Sequence, residues 1–214
     1  KYIYKIPEPE TERLRLGERV HKCIEYITMV KRGDLMGKPF LGKNIGEDEI
    51  LEKIKDEELK KYIETFLNSN LLKFNDIEFL LLEQLFYWKL SGYFITGKID
   101  RMDMLKDGKI RIIDYKVSNY SVKRKNVQHE NQLKSYISSA CEIYKKSTSD
   151  IYGCLLYLGN SKEIELSFKD EQIKEFEALV LDIIKKINKN IFDTDMTSSC
   201  KKDCSYYDLC AYMN

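Results

Sequence analysis

Proline is scarce in this sequence, with 3 residues in 214, and so are histidine, with 2, and tryptophan, with 1. Low proline leaves few breaks in the chain, and no proline-rich or glycine-rich tract marks a linker. A long apolar run is missing as well. The most hydrophobic stretch, Ile77 to Leu90, is interrupted by Glu78, Glu83, Gln84 and Lys89. A membrane span needs about 20 apolar residues, so no membrane association is expected. There is no basic start leading into an apolar core, so no secretory leader is expected either. The chain begins at Lys1 rather than Met, so a fragment or a processed product is expected. Charge of one sign is also lacking: 36 basic against 35 acidic residues give a net charge of +1. Overall charge therefore neither favours nor excludes a nucleic-acid partner, and the location of the charges matters more.

What is present is a hydrophobic fraction of 43% with 12% aromatic residues, enough to bury a core and to exclude a disordered chain. Leu16, Val20, Ile24 and Ile27 predict a helix over Thr11 to Val30. Leu51, Ile54, Leu59, Tyr62 and Ile63 predict a second over Ile50 to Phe66. Ile77 to Leu90 reads as strand-rich. Tyr93 to Leu105 and Lys109 to Val117 read as two strands joined at Lys106-Asp107-Gly108. Helical spacing returns over Val127 to Tyr144. Strands are expected at Ile151 to Leu158 and Ile164 to Phe168. A last helix, Lys169 to Asn188, aligns Ile173, Phe176, Leu179, Ile183 and Ile187. This order predicts a single mixed α/β domain. It spans residues 1–190, with N-terminal helices over 11–69 and a core over 77–190, and carries a cysteine-rich tail, 191–214.

Chemistry concentrates at the end of the second short strand. Ile110, Ile112, Asp114 and Lys116 share one strand face, which sets an anion about 7 Å from a cation. A carboxylate and an ammonium at the end of a buried strand are costly unless paired or used. One carboxylate makes a poor Mg²⁺ site, and Asp100 on the preceding strand is the candidate second. Hairpin parity decides whether the two can meet. A two-residue loop would point Asp100 away. A three-residue loop with Gly108 in the left-handed region places Asp100 opposite Asp114. The latter, or a bulge that restores the same parity, is expected.

Gly97-Lys98-Ile99-Asp100-Arg101 followed by Ile112-Ile113-Asp114-Tyr115-Lys116 resembles the core of the RecB family of PD-(D/E)XK nucleases. Gly17-Glu18-Arg19-Val20-His21 resembles the family's Gly-x-x-x-His helix. Glu83 resembles the acidic residue that precedes the Gly-x-x-Asp strand, and Gln132 to Tyr136 the Gln-x-x-x-Tyr helix. The resemblance implies a restriction-endonuclease-like fold and metal-dependent hydrolysis of DNA, with an exonuclease acting at ends or single strands the expected form. It implies that His21, Asp100 and Asp114 hold Mg²⁺ or Mn²⁺, with the Tyr115 carbonyl as a further ligand. Lys116 would orient or activate the water, and Glu83 would join the catalytic set. Gln132 and Tyr136 would position the strand. Lys123, Arg124 and Lys125 could line the approach of DNA, and Tyr120, Tyr136 and Trp88 could stack on unpaired bases. His129 is expected at the surface.

Of six cysteines, Cys200, Cys204 and Cys210 crowd into the tail, and they resemble the cysteine trio of family members with a 4Fe–4S cluster. Three thiolates in one loop suit a cluster or zinc, but the spacing departs from the family pattern and a fourth ligand is not identified. Cys23, Cys141 and Cys154 are expected as buried small hydrophobes. A reducing, cytoplasmic compartment is the matching expectation. The partner implied is a helicase domain or subunit. The alternatives are a free-standing CRISPR-associated Fe–S exonuclease, a non-catalytic nuclease-fold DNA-binding module, and a zinc-stapled interaction domain.

Overall fold

The computed structural model describes residues 12–37, 46–121, 127–189 and 191. The N-terminal elements are α1 (Glu12–Arg32), α2 (Glu47–Glu52) and α3 (Glu57–Leu67). Then come β1 (Ile77–Leu90), β2 (Tyr93–Leu105), β3 (Ile110–Lys116), α4 (Val127–Tyr144), β4 (Ile151–Tyr157), β5 (Lys162–Leu166) and α5 (Asp170–Asn188). The five strands form one sheet in the order β1-β2-β3-β4-β5, with only the β3–β4 pair parallel. That parallel pair is joined through α4, as a parallel crossover requires.

Helices cover the sheet on both faces. Val20, Ile24 and Ile27 of α1 and Leu59, Ile63 and Phe66 of α3 pack on Ile113, Tyr115, Cys154 and Leu156. Leu133, Ile137 and Ala140 of α4, with Ile173 and Phe176 of α5, pack on Ile110, Ile112, Leu155 and Tyr157. Both faces of β3 and β4 are therefore apolar. The architecture is the restriction-endonuclease-like α/β fold expected from the sequence.

The single helix expected over Ile50 to Phe66 is two. The Asp56 carboxylate accepts hydrogen bonds from Glu58 N and Leu59 N, both at 3.0 Å, and pairs with Arg19 at 2.8 Å. An aspartate satisfying the free amides of a helix start fixes a new N-terminus there. The α5 stripe is also shorter than its spacing implied. Ile173 and Phe176 are buried, but Leu179, Ile183 and Ile187 lie on the exposed side while Val180 and Leu181 turn inward. Cys154 is buried and Cys23 and Cys141 are half-buried, all as free thiols. Burial pushes the Cys141 thiol up to about 11 and the Cys154 thiol up to about 12, so both are inert.

The β2–β3 hairpin has the three-residue loop. Leu105 N donates to Lys109 O at 2.8 Å, and Gly108 has φ +83°. The register then holds from Met104↔Ile110 to Arg101↔Ile113, so Asp100 and Asp114 come next in line, opposite one another.

Beneath α3 lies a charge cluster that sequence reading did not anticipate. Arg101 and Asp103 are both fully buried and paired, Nε to Oδ1 at 2.6 Å and Nη2 to Oδ2 at 3.0 Å. Arg111 adds two bonds to Asp103 Oδ2, at 3.0 and 2.8 Å, and Arg101 Nη1 donates to Leu71 O at 2.8 Å. The Phe74 ring closes over the Arg101 guanidinium at 5.0 Å. Removing one partner of such a pair strands a buried charge, at about 3–5 kcal/mol. Asp103→Ala is therefore expected to destabilise the fold by about that much, read as a lower urea midpoint. A loss below about 1 kcal/mol, the range of surface pairs, would show that the cluster does not tie β2 and β3 together.

Candidate active site

The site forms where β1 and β2 change face together. Leu81 on β1 and Met102 on β2 point toward the α4/α5 layer, while Leu80 and Leu82 point away. Beyond Glu83 and Asp100 the pattern inverts: Phe86, Trp88, Leu90, Ile95 and Ile99 now face that layer. The pairing nevertheless continues, from Leu82↔Arg101 to Gln84↔Ile99. The inversion is taken up at Glu83, whose φ of +50° is unusual within a strand. A non-glycine residue in the left-handed region costs about 1–2 kcal/mol, and such residues cluster at functional sites.

Asp100 occupies the matching pivot. By the alternation of an antiparallel ladder, Tyr115 N–H would meet the Ile99 carbonyl. Instead it donates to Asp100 Oδ2 at 2.9 Å. The side chain replaces a rung, the strands part, and room opens beside them. His21 enters from α1: its Nδ1 lies 3.3 Å from Asp100 Oδ1 and its Nε2 lies 3.1 Å from Tyr115 O. Both nitrogens thus face acceptors, which an imidazole satisfies only when protonated. Burial pulls the His21 pKa down, but hydrogen bonding to Asp100 and the charges of Asp100, Asp114 and Glu83 outweigh it and hold the pKa above its ordinary value. A proton here sits between groups that could equally share a cation.

His21, Glu83 and Asp100 each offer a ligand atom, and these atoms lie within 4.8 Å of one another. That limit is about two metal–oxygen bond lengths, so one ion could reach all three. Nitrogen plus carboxylate oxygens suit Mn²⁺ and tolerate Mg²⁺. Asp114 lies deeper, outside this trio. Its Oδ2 is 2.6 Å from Lys116 Nζ but has no aligned hydrogen-bond donor. Desolvation first, then the Asp100 charge, push its pKa up to about 6 against the pull of Lys116 and His21. A buried carboxylate oxygen with an incomplete set of partners fits a group that completes its coordination when a cation binds nearby.

Lys116 is held from the far side by α4. It donates to Gln132 Oε1 at 2.6 Å, and Gln132 Nε2 donates to Tyr136 Oη at 2.6 Å. Gln132 and Tyr136, one turn apart, thus anchor the lysine. Tyr136 is only 5% exposed and packs edge-on against Phe86. Trp88 is 2% exposed and stacked on Phe176. Neither ring can stack on a base, which corrects the expectation from sequence. His129 is corrected too. It is half-buried with Nδ1 2.8 Å from Tyr157 Oη, and burial with the nearby Lys116 charge lowers its pKa to about 4. Lys123, Arg124, Lys125, Cys200, Cys204 and Cys210 lie outside the described residues.

A cleft of about 600 Å³ opens beside His21 and Glu83, lined also by Leu14, Gly17, Glu18, Lys22, Glu25 and Lys98. Lys98 is ion-paired with Glu83 across the β1–β2 ladder.

Two carboxylates and a lysine at the splayed ends of β2 and β3, with a helix-borne histidine beside them, are the arrangement the sequence motifs pointed to. The family model of the PD-(D/E)XK nuclease superfamily matches residues 1–211. The chain belongs to the PD-(D/E)XK nuclease superfamily. No curated protein matches the sequence. Among solved structures, a Eubacterium rectale protein called "Putative exonuclease" is similar at a TM-score of 0.55 and 12% identity, covering 98% of this chain and 83% of its own. The protein called SSO0001 is similar at a TM-score of 0.47 and 17% identity, covering 99% and 90%. No described helix is long and apolar enough to cross a membrane.

The strain at Glu83 yields a test. Glu83→Gly removes a candidate ligand atom and relieves the left-handed backbone, so it is expected to melt no lower than the parent while cleavage falls at least 100-fold. Thermal melting beside an endpoint cleavage assay reads both. A marked loss of stability would mean that the Glu83 side chain holds the fold rather than the site.

Proposed function

We propose that this protein is a Mg²⁺- or Mn²⁺-dependent deoxyribonuclease of RecB type, an exonuclease that acts at DNA ends alongside a helicase domain or subunit. The observation that carries the reading is the mutual approach of His21, Glu83 and Asp100 within 4.8 Å, together with the ion pair of buried Asp114 and half-buried Lys116. His21, Asp100, Asp114 and the Tyr115 carbonyl would hold the metal, and Glu83 is near enough to share in it. When bound, such an ion lowers the pKa of water and neutralises charge on a phosphate.

The chain's own groups supply the rest. The Lys116 ammonium is fixed by Asp114 and Gln132, where it can orient a water or stabilise negative charge developing on a phosphate oxygen. With a pKa of about 6, Asp114 is ionised at neutral pH and neutral in acid. Gln132 and Tyr136 act by holding Lys116 in place. Lys123, Arg124 and Lys125, directly after β3, would neutralise phosphates on the approach. The tail cysteines Cys200, Cys204 and Cys210 would hold a 4Fe–4S cluster with a further ligand. Residues 1–190 would form the nuclease domain and 191–214 a tail belonging to it.

The test is cleavage of end-labelled linear DNA and closed circular DNA in Mg²⁺, Mn²⁺ or EDTA. Loss of end label from linear DNA only with metal is expected, with circles spared. Asp114→Ala and Lys116→Ala are each expected to lower the rate by at least 100-fold, about 2.7 kcal/mol of barrier. Cleavage that survives EDTA, or that Asp114→Ala leaves intact, would overturn the reading.

A further inference from the structure

Among the described residues, the helix layers leave part of the sheet uncovered. Beyond the Glu83–Asp100 pivot, β1 and β2 continue as a two-stranded ribbon. Phe86, Trp88 and Leu90 cover its inner face against α4 and α5, and the stacking of Trp88 on Phe176 fixes that side. Gly97 lets the ribbon lie close, since a Cβ there would meet the Phe86 ring at 2.5 Å. The outer face carries Leu85, Tyr87 and Lys89 from β1 and Phe94, Thr96 and Lys98 from β2, all exposed. Tyr87 is 65% and Phe94 70% exposed, unusual for aromatic rings in a strand.

The register makes this face a track. Leu85 pairs with Lys98, Tyr87 with Thr96 and Lys89 with Phe94. Tyr87 and Phe94 are therefore diagonal neighbours, about 7–8 Å apart by sheet geometry. Each ring has a lysine on the strand opposite or beside it. Tyr87 lies four residues from Glu83 and Phe94 six from Asp100, about 13 and 20 Å along the strands. The same two strands that supply the candidate ligands thus carry the rings away from them.

We propose that the outer face of the β1–β2 ribbon is a stacking track for single-stranded DNA, leading a strand end into the cleft beside His21 and Glu83. The inference rests on the nuclease reading for its direction, toward the site. Aromatic rings alternating with lysines bind unpaired strands because every base has a face to stack, whereas a duplex hides those faces. The two carboxylates at the ribbon's pivot are both engaged, Glu83 with Lys98 and Asp100 with Tyr115 N and His21. Across the cleft, α1 presents Lys22 together with the carboxylates of Glu18 and Glu25. These acids disfavour a broad polyanion such as a duplex and leave the ribbon side as the path for one strand. A protein seated on the ribbon would close the cleft that it borders.

The experiment is fluorescence anisotropy of labelled twelve-residue oligothymidylate with the full chain, in EDTA and at fixed salt. Tyr87→Ala and Phe94→Ala are each expected to weaken binding about tenfold, and the double variant more. Tyr87→Phe keeps the ring and is expected to bind as the parent does, and a blunt duplex of equal length is expected to be indifferent to all three. Parent protein that does not bind the oligonucleotide overturns the proposal. Folded Ala variants that bind it unchanged overturn it too, as does Tyr87→Ala turning a dimer into a monomer in sedimentation. The two readings separate cleanly. Binding that depends on the rings in a protein that never cleaves would keep the track and end the nuclease reading. Cleavage without ring dependence would do the reverse.

Discussion

The site depends on one register. A three-residue turn at Lys106-Asp107-Gly108 places Asp100 across from Asp114, and one residue fewer would send every side chain of β2 to the opposite face. The hydrogen bond from Tyr115 N to Asp100 Oδ2 then locks that parity where it matters, because it replaces a backbone rung with a side chain. The strands part at that point, and His21 and Glu83 reach in from two other elements. A trio with the spacing to hold a metal ion, a buried carboxylate and a lysine thus follow from a turn some distance away.

Charge is buried on both sides of this hairpin, with different consequences. Arg101, Asp103 and Arg111 saturate one another: every contact is short and the cluster has no use for a further ion. Asp114 and Lys116 are arranged otherwise. Asp114 Oδ2 has a cation beside it but no aligned donor, and its carboxyl titrates well above the usual range. The first cluster fastens β2 to β3 and to the turn below α3. The second keeps a charged pair incompletely satisfied at the open end of the same two strands. The strained Glu83 backbone belongs with the second, since it too is a cost concentrated at the site.

The folding pattern was readable where periodicity and turn chemistry agree. The apolar spacing of α1, α4 and α5, the glycine of the β2–β3 turn and the doubly apolar β3 all announced their states. Less was readable where one side chain redirects the backbone. Asp56 splits a continuous helical pattern because it caps the amides of Glu58 and Leu59. Trp88 and Tyr136 carried the composition of base-stacking residues, but α5 and β1 bury them. Tyr87 and Phe94, exposed on the ribbon, sit in the ordinary alternation of β1 and β2. Nothing in that alternation says which face a helix will cover.

Legible in the residue order alone were most of the helices and strands, the parity of the β2–β3 hairpin and the chemical types gathered around Asp100, Asp114 and Lys116. These are local properties: residue spacing, turn stereochemistry and the alternation of side chains along a strand. Packing between distant segments settles that Glu83 turns left-handed beside His21, that Lys116 is held by a glutamine from α4, and that one face of the β1–β2 ribbon is uncovered among the described residues. Each of these depends on which layer packs against which surface, and that is settled only when segments distant in the chain are brought together.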